Sequence, residues 1–596
     1  TQPLLVVRTL RRTLRAAGGR VRARAKQPVL RALDPLLETA MWRFRALLVA
    51  CAICIHAAED VVDQVHLALG RSSTEMVVSW AAYNNTPCFV DYAPNEAGLA
   101  EPWTAACERS KTYVVQADDM WNVDYSSPLL RHARLVGLEP ASDYVYRIHG
   151  SEAVRAFATT AARGVDDYPL SMAVVGDIGQ TAFSAVTIAE LAANSPRPAA
   201  CVLVGDLSYA DGDGPRWDSW ARLAEPAFAE LPLMVLPGNH EIEFEQFTKA
   251  AFKGYRARHE MPGLPEEVAA GVYKSHYASD LTYDFGASFY SFDVGRTHWV
   301  MLNTYANSAS DSLQYSWLQR DLACVDRELT PWVVVCMHAP WYNTNAKHPT
   351  QSETATRNHK ANLERLVALG GASIVFAGHV HAYERSHPVC FGDVSSFAPT
   401  YVTIGDGGNR ELLYNVWPDH VAAGWSAFRN GTRYGFGTLT FHNDSRAVWH
   451  WLPNEFEGPA DEIWIDNLKP GGCGGGAAPD TGDCDAADAV AAVKRRAAQH
   501  RFGPGSGSAP STGGGSAPFH LSPYGVAFIV CVGLATAFVG GAFLRARVVA
   551  ARQQREEKSL VELEKMAASR DVWSQTSVHD DLLDDTYDDL VRGTLV

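Results

Sequence analysis

Cysteine is scarce in this chain, with eleven in 596 residues. That is too few for a small disulfide scaffold, so the fold must rest on apolar cores. No self-similarity recurs at the periods of solenoids or propellers, which excludes a repeat array. A basic excess is also missing, except at the start. The net charge is −15, and residues 1–45 hold eleven Lys/Arg against two Asp/Glu, which leaves −24 for the remainder. A body that acidic repels a phosphate backbone, so nucleic acid is excluded as a partner. Apolar residues nevertheless make up 47 % of the chain and aromatics 10 %. Such a composition buries large cores and excludes a disordered or collagen-like chain.

The ends carry expectations about location. Residues 1–40 read as an Arg-rich extension, either a gene-model artefact or a transit-like leader. Met41–Ala58 has the order of a signal peptide: basic residues, the apolar run Ala46–Ile55, then small residues. Tyr524–Leu544 is a charge-free run of 21 residues, long enough to span a bilayer as a helix. Arg545, Arg547, Arg552 and Arg555 follow it, which places the tail 545–596 in the cytosol. The expectation is a secretory-pathway, single-pass type I membrane protein held by one C-terminal helix. Its body would be extracellular or in a vacuolar/lysosomal lumen, tethered by a Gly/Ser-rich linker over 469–523. Such a compartment permits disulfides, with Cys88/Cys107 and Cys473/Cys484 the nearest pairs. Asn84-Asn85-Thr86, Asn430-Gly431-Thr432 and Asn443-Asp444-Ser445 are glycosylation sequons. Tyr587-Asp588-Asp589-Leu590 matches a Tyr-x-x-apolar sorting signal.

Two folded blocks lie between the ends. Over residues 59–162 apolar side chains alternate with period two, as in Met76-Val77-Val78-Ser79-Trp80 and Tyr144–Ile148, which predicts an all-β sandwich. Leu135–Pro140 followed by Tyr144-Val145-Tyr146 resembles the corner of a fibronectin type III domain. Residues 163–468 change character. Short apolar strands alternate with helical stretches, which predicts an α/β domain with a mainly parallel, helix-covered β-sandwich. In such sheets ligands bind beyond the carboxyl ends of the strands.

Five strand ends each deliver chemistry. Leu170–Val175 is followed by Gly176-Asp177, Ala199–Val204 by Gly205-Asp206-Leu207-Ser208-Tyr209-Ala210-Asp211, and Leu233–Leu236 by Pro237-Gly238-Asn239-His240-Glu241. Trp332–Cys336 leads to Met337-His338, and Ser373–Phe376 to Ala377-Gly378-His379-Val380-His381. One such residue is an ordinary cap; five strand ends in one sheet point to a metal site. Carboxylates, imidazoles, an amide and a phenol, with no thiolate, suit Fe, Mn or Zn better than Ca or Mg. Seven donors are too many for one ion and fit two sharing a carboxylate.

These blocks, in this order, resemble the purple acid phosphatases of the calcineurin-like metallophosphoesterase superfamily, over about residues 60–465 and including Gly405-Asp406-Gly407-Gly408-Asn409. The resemblance implies Asp177, Asp206, Tyr209 and His381 around Fe(III). It implies Asp206, Asn239, His338 and His379 around a divalent ion: Zn, Mn or Fe(II). It further implies hydrolysis of small phosphate monoesters by a metal-held hydroxide, with His240 as general acid and phosphate contact beside Asn239. The family has a histidine pair beyond the His338 block; Lys347-His348 stands there, so His348 fits as a catalytic and substrate-binding residue and Lys347 departs from the pattern. Tyr383-Glu384-Arg385 is expected to support His381. A homodimer is left open. Competing readings are a phosphodiesterase or nucleotide hydrolase on the same site, and a cell-surface adhesion or receptor protein whose metal domain is inert.

Overall fold

The computed structural model describes residues 62–83, 87–115, 124–243, 251–263, 273–274, 282–283, 288–418 and 424–471. The period-two alternation of the first block becomes seven strands: β1 (Val62–Leu69), β2 (Glu75–Ala82), β3 (Phe89–Ala93), β4 (Trp103–Lys111), β5 (Leu129–Val136), β6 (Asp143–Ile148) and β7 (Arg155–Ala158). All pairings are antiparallel, in the order β1-β2-β5-β4-β3-β6-β7. β4 serves both faces of the sandwich. Its first half pairs with β3 and its second half with β5, with a register shift between Cys107 and Arg109 where it turns. The expected Cys88–Cys107 disulfide fastens this corner. The Glu139 N–H donates to the Tyr144 hydroxyl at 2.8 Å, as in the tyrosine corner of such sandwiches.

The second block forms two mixed sheets packed face to face. One contains β8 (Leu170–Val175), β9 (Cys201–Leu203), β10 (Leu233–Val235), β18 (Gly435–Phe441), β19 (Arg446–Pro453) and β20 (Asp461–Asp466), in the order β10-β9-β8-β18-β19-β20. The other contains β11 (Tyr290–Val294), β12 (Thr297–Met301), β13 (Trp332–Cys336), β14 (Ile374–Ala377), β15 (Tyr383–Ser386), β16 (Thr400–Ile404) and β17 (Ser426–Asn430), in the order β11-β12-β13-β14-β16-β15-β17. Pairing is parallel through β8-β9-β10 and β12-β13-β14-β16 and antiparallel toward the rims. β8, β12 and β13 are buried along their whole length, which is why β13 reads as an unbroken apolar run and β8 as one interrupted only by Ser171. Aromatic rings fill the space between the sheets: Trp332 on Phe441 (5.1 Å), Phe376 on Trp449 (4.7 Å) and Tyr383 stacked on Trp451 (4.4 Å).

Among the described residues, four helices of twelve residues or more cover the outside: α1 (Ala182–Ala193), α2 (Gly214–Phe228), α3 (Leu313–Cys324) and α4 (Thr354–Leu369). α1 begins in a reciprocal cap, the Thr181 hydroxyl accepting from Ser184 N–H while the Ser184 hydroxyl accepts from Thr181 N–H. α2 joins the sandwich to the α/β domain through part-buried polar contacts: Gln64 N–H to Glu225 (2.8 Å), Arg155 to Glu225 (2.7 Å) and Tyr125 to Asp218 (3.0 Å).

The segments read as leader extension, signal, membrane span and tail lie outside the described residues, as do most of the linker, Cys473/Cys484 and the first sequon. The single-pass placement is corrected: among the described residues no helix is long and apolar enough to cross a membrane. The longest, α4, has sixteen residues and so reaches about 24 Å, short of a hydrocarbon core of about 30 Å. It is amphipathic as well, burying His359, Leu363 and Val367 against the sheet.

Candidate metal centre

Both sheets end at the same place. β8, β9 and β10 deliver Asp177, Asp206 and Asn239 from one side, and β13 and β14 deliver His338, His379 and His381 from the other. Close approach of these turns needs glycine. A Cβ on Gly205 would lie 2.4 Å from His338 Nδ1, and one on Gly238 would lie 2.0 Å from an Asp206 oxygen. Asp177, Asp206, Tyr209 and His379 themselves adopt left-handed backbone, with φ of 54°, 53°, 52° and 68°. For non-glycine residues that costs about 1–2 kcal/mol each, the kind of strain that concentrates at functional sites.

The donor atoms fall into two groups. In the first, the Tyr209 hydroxyl lies 3.0 Å from His381 Nε2 and 3.3 Å from Asp177 Oδ1, with 3.5 Å between the latter two. In the second, His338 Nε2 lies 3.2 Å from Asp206 Oδ2 and 3.1 Å from Asn239 Oδ1, and Asn239 Oδ1 lies 2.8 Å from His379 Nδ1. Donors about 2.1 Å from a metal stand about 3.0 Å apart along an octahedral edge. The spacings match that edge, so the residues present fit a dinuclear centre. All but Asn239 are buried to 7 % exposure or less.

Each imidazole is aimed by its far nitrogen. His338 Nδ1 meets the Val204 carbonyl (2.9 Å) and His381 Nδ1 the Leu412 carbonyl (3.1 Å), so both present Nε2. His379 is turned the other way: Nε2 meets Glu353 (3.0 Å) and Nδ1 faces Asn239. Such partners fix tautomer and ring orientation at metal sites. Buried Glu241 ties the loops together by accepting from the N–H groups of Asp206, Leu207 and Gly238.

Electrostatics follow from acids packed among histidines. Burial opposes ionisation of Asp206, but His338 and His240 outweigh it and hold the carboxyl far below its ordinary range. Burial likewise opposes charge on His240 and His338, yet Asp206 with Asp211 and Glu411 pushes His240 up to about 10, and Asp206 with Asp177 pushes His338 up to about 9. Burial, then Asp177 and Asp206, drive the Tyr209 phenol well above 10. Buried carboxylates balanced mainly by histidine protons suit a place that takes cations.

Nine of the ten sequence-nominated residues converge. His240 lies over Tyr209, ring centres 4.1 Å apart, with Nδ1 2.5 Å from Asp211 and Nε2 3.5 Å from Glu411. The His348 ring lies 4.2 Å from that of His379. Lys347 is the exception; it stays at the exposed rim, its Nζ 5.8 Å from the Tyr414 ring, which stacks on His381 at 4.4 Å. Tyr383-Glu384-Arg385 does not support His381 directly. Tyr383 and Arg385 bind Asp461, and Glu384 anchors Thr344 in the loop between His338 and His348. Asp211, Glu241, Glu353, Glu411 and Tyr414 were not singled out by the sequence. Asp211 and Glu241 sit inside strand-end motifs and could have been; the other three carry no local signal.

Comparison with known proteins agrees with this geometry. Family models described as "Purple acid Phosphatase, N-terminal domain", "Calcineurin-like phosphoesterase" and "Iron/zinc purple acid phosphatase-like protein C" match residues 62–161, 170–383 and 398–462. Purple acid phosphatase 22 of Arabidopsis thaliana is 36 % identical over 413 residues, covering 68 % of this chain and 86 % of that one. A phosphoenolpyruvate phosphatase of Allium cepa is 32 % identical over 435 residues, covering 68 % and 83 %. Among solved structures, purple acid phosphatase PPD1 from yellow lupin (Lupinus luteus) seeds shares the fold, with a TM-score of 0.58 at 20 % identity over 69 % of this chain and 75 % of that chain.

Proposed function

This chain belongs to the purple acid phosphatase family, and on that premise we propose how its residues divide the work of a metal-dependent acid phosphatase acting on small phosphate monoesters. The family works through a dinuclear metal centre. Asp177, Asp206, Tyr209 and His381 would hold Fe(III), for which a hard anionic phenolate is a suitable donor. Asp206, Asn239, His338 and His379 would hold the divalent ion, Zn, Mn or Fe(II), with Asp206 shared. When bound, the two ions supply Lewis-acid stabilisation of the phosphoryl oxygens and an activated water.

The remaining steps belong to the chain. Asp211 accepts from His240 Nδ1, which leaves Nε2 to carry a proton toward the departing alkoxide. The His240 backbone N–H, donated to Asp206 Oδ1 at 2.9 Å, keeps that loop in register with the acid. His348 and Lys347 approach from the opposite rim, where they meet the phosphate and the group it is attached to. Lys347 offers a point charge that suits a substrate carrying a second anionic group.

The convergence of seven donors at coordination-edge spacing carries this reading. Purified protein should contain two transition ions per chain and a visible charge-transfer band from Tyr209. His338→Ala should lose the divalent ion and phosphatase turnover together. Wild-type turnover in that variant, or a colourless, iron-free wild type, would overturn the assignment.

A further inference from the structure

Glu353 is the residue immediately before α4, the position from which a side chain normally caps the first helical N–H groups. Its carboxylate makes no such cap. It turns instead to two imidazoles, accepting from His348 Nδ1 at 2.8 Å and from His379 Nε2 at 3.0 and 3.1 Å. The Thr356 hydroxyl, donated at 2.9 Å, holds the second oxygen in place. The three side chains stand close enough that their ligating atoms fall within 4.8 Å of one another.

We propose that Glu353 is a positioning residue that couples the divalent-metal ligand His379 to the substrate-side His348 through one carboxylate. This rests on the metal assignment given under Proposed function. A neutral imidazole has one N–H. By taking it from His379 Nε2, Glu353 leaves the lone pair on Nδ1, the nitrogen that faces Asn239 Oδ1. By taking it from His348 Nδ1, it leaves that ring's Nε2 for a phosphate oxygen. The backbone of the same loop is held separately: the Asn343 side-chain amide donates to the carbonyls of Lys347 and His348, both at 3.0 Å. His348 sits at φ 50°, in the left-handed region that few non-glycine residues adopt, and these contacts hold it there. Loop position and ring orientation are therefore set by different residues, and only the ring depends on Glu353.

The test uses the purified full chain, stripped and reloaded with Zn²⁺ alone as the divalent probe. Zn²⁺ affinity is read by competition with a chelator, and kcat and KM are read on p-nitrophenyl phosphate. Glu353→Gln is expected to weaken Zn²⁺ about 10- to 100-fold and to raise KM. Glu353→Asp should recover part of both. His348→Ala should raise KM while Zn²⁺ affinity stays within about twofold of wild type. Should Glu353→Gln fold poorly, Thr356→Val loosens the carboxylate without removing it and should shift both readouts in the same direction by a smaller factor. Wild-type Zn²⁺ affinity in Glu353→Gln, or in both Glu353→Asp and Thr356→Val, overturns the proposal. His338→Ala separates the two failures. If it loses Zn²⁺ while the Glu353 variants keep it, only the coupling is wrong; if it too keeps Zn²⁺, the metal assignment is wrong.

Discussion

Two buried groups of histidines stand in opposite electrostatic states. At the seam between the sandwich and the α/β domain, His66, His132 and His259 pack with Arg258, Trp80 and Trp220 around one cavity. Burial lowers all three, and nearby cations add to it, taking His132 down to about 3. At the metal centre His338 is buried and His240 part-buried, but acids surround them and push them up to about 9 and about 10. The residue type is the same and both sites are desolvated. At His240 and His338 neighbouring carboxylates decide the charge, whereas burial, with His348 and His338 nearby, keeps His379 lowered despite Glu353. The seam uses imidazole as a neutral polar filler, His132 bridging the Ser79 hydroxyl and the Ala257 carbonyl, whereas the centre uses it as a proton carrier at His240 and as a donor atom at His338.

The largest effect that would break the comparison is at His240. His240→Asn should lower kcat on p-nitrophenyl phosphate by about 10²- to 10⁴-fold, with metal content retained, if its proton serves the leaving group. A loss much smaller than tenfold would make it a filler like those at the seam.

Next in size is His298, a buried histidine in the second sheet, held at 2.7 Å by Asp293 and 2.9 Å by Asp321 and pushed up to about 10 by those acids against burial. It tests whether carboxylates alone suffice to keep a buried imidazole charged. A folded pKa above the unfolded value of about 6.5 gives stability that is fully present below pH 6.5 and lost as pH rises through about 10. Asp321→Asn should therefore cost about 1.5–3 kcal/mol in urea unfolding at pH 7, and the gap to wild type should close toward pH 10.

His132 should behave in the opposite sense. Its folded pKa is below the unfolded one, so its stabilisation is present above pH 6.5 and lost as pH falls toward 3. Wild type should lose about 2 kcal/mol between pH 7 and pH 5 through this residue alone. His132→Gln should lack that slope, so the stability difference between the two proteins narrows by that amount in acid. An unchanged difference would place a charged imidazole at the seam.

The smallest effect concerns Lys347, the exposed cation at the rim. Lys347→His should reduce kcat/KM for a phosphate monoester carrying a carboxylate about 2- to 5-fold relative to p-nitrophenyl phosphate, the scale of one solvent-screened ion pair. Equal changes for both substrates would deny it any part in reading a second anionic group.

The seven donors were legible because each follows a buried apolar strand, most beside a glycine, and that is a local pattern. Their partners were not. Glu353 meets His379 across 26 positions, and the Leu412 carbonyl meets His381 across 31. Nothing near Glu353 distinguishes it from an ordinary helix cap, the job its side chain does not do. The seam was equally hidden, since His132 and Ala257 lie 125 residues apart. The reading of residues 524–544 as an anchor drew on apolar length, the arginines that follow and the linker before it, and the described fold adds no spanning helix to it.

Sequence by itself determined where strands end and which donor atoms follow them, because backbone periodicity and glycine placement act over a few residues. It also determined the element class of both blocks, through the switch from period two to alternating strand and helix. Only tertiary structure decided which nitrogen of each imidazole faces the centre, which histidines keep a proton and which acids stand behind them. Those properties depend on burial and on charges brought within a few ångströms by folding, and neither quantity exists along an extended chain.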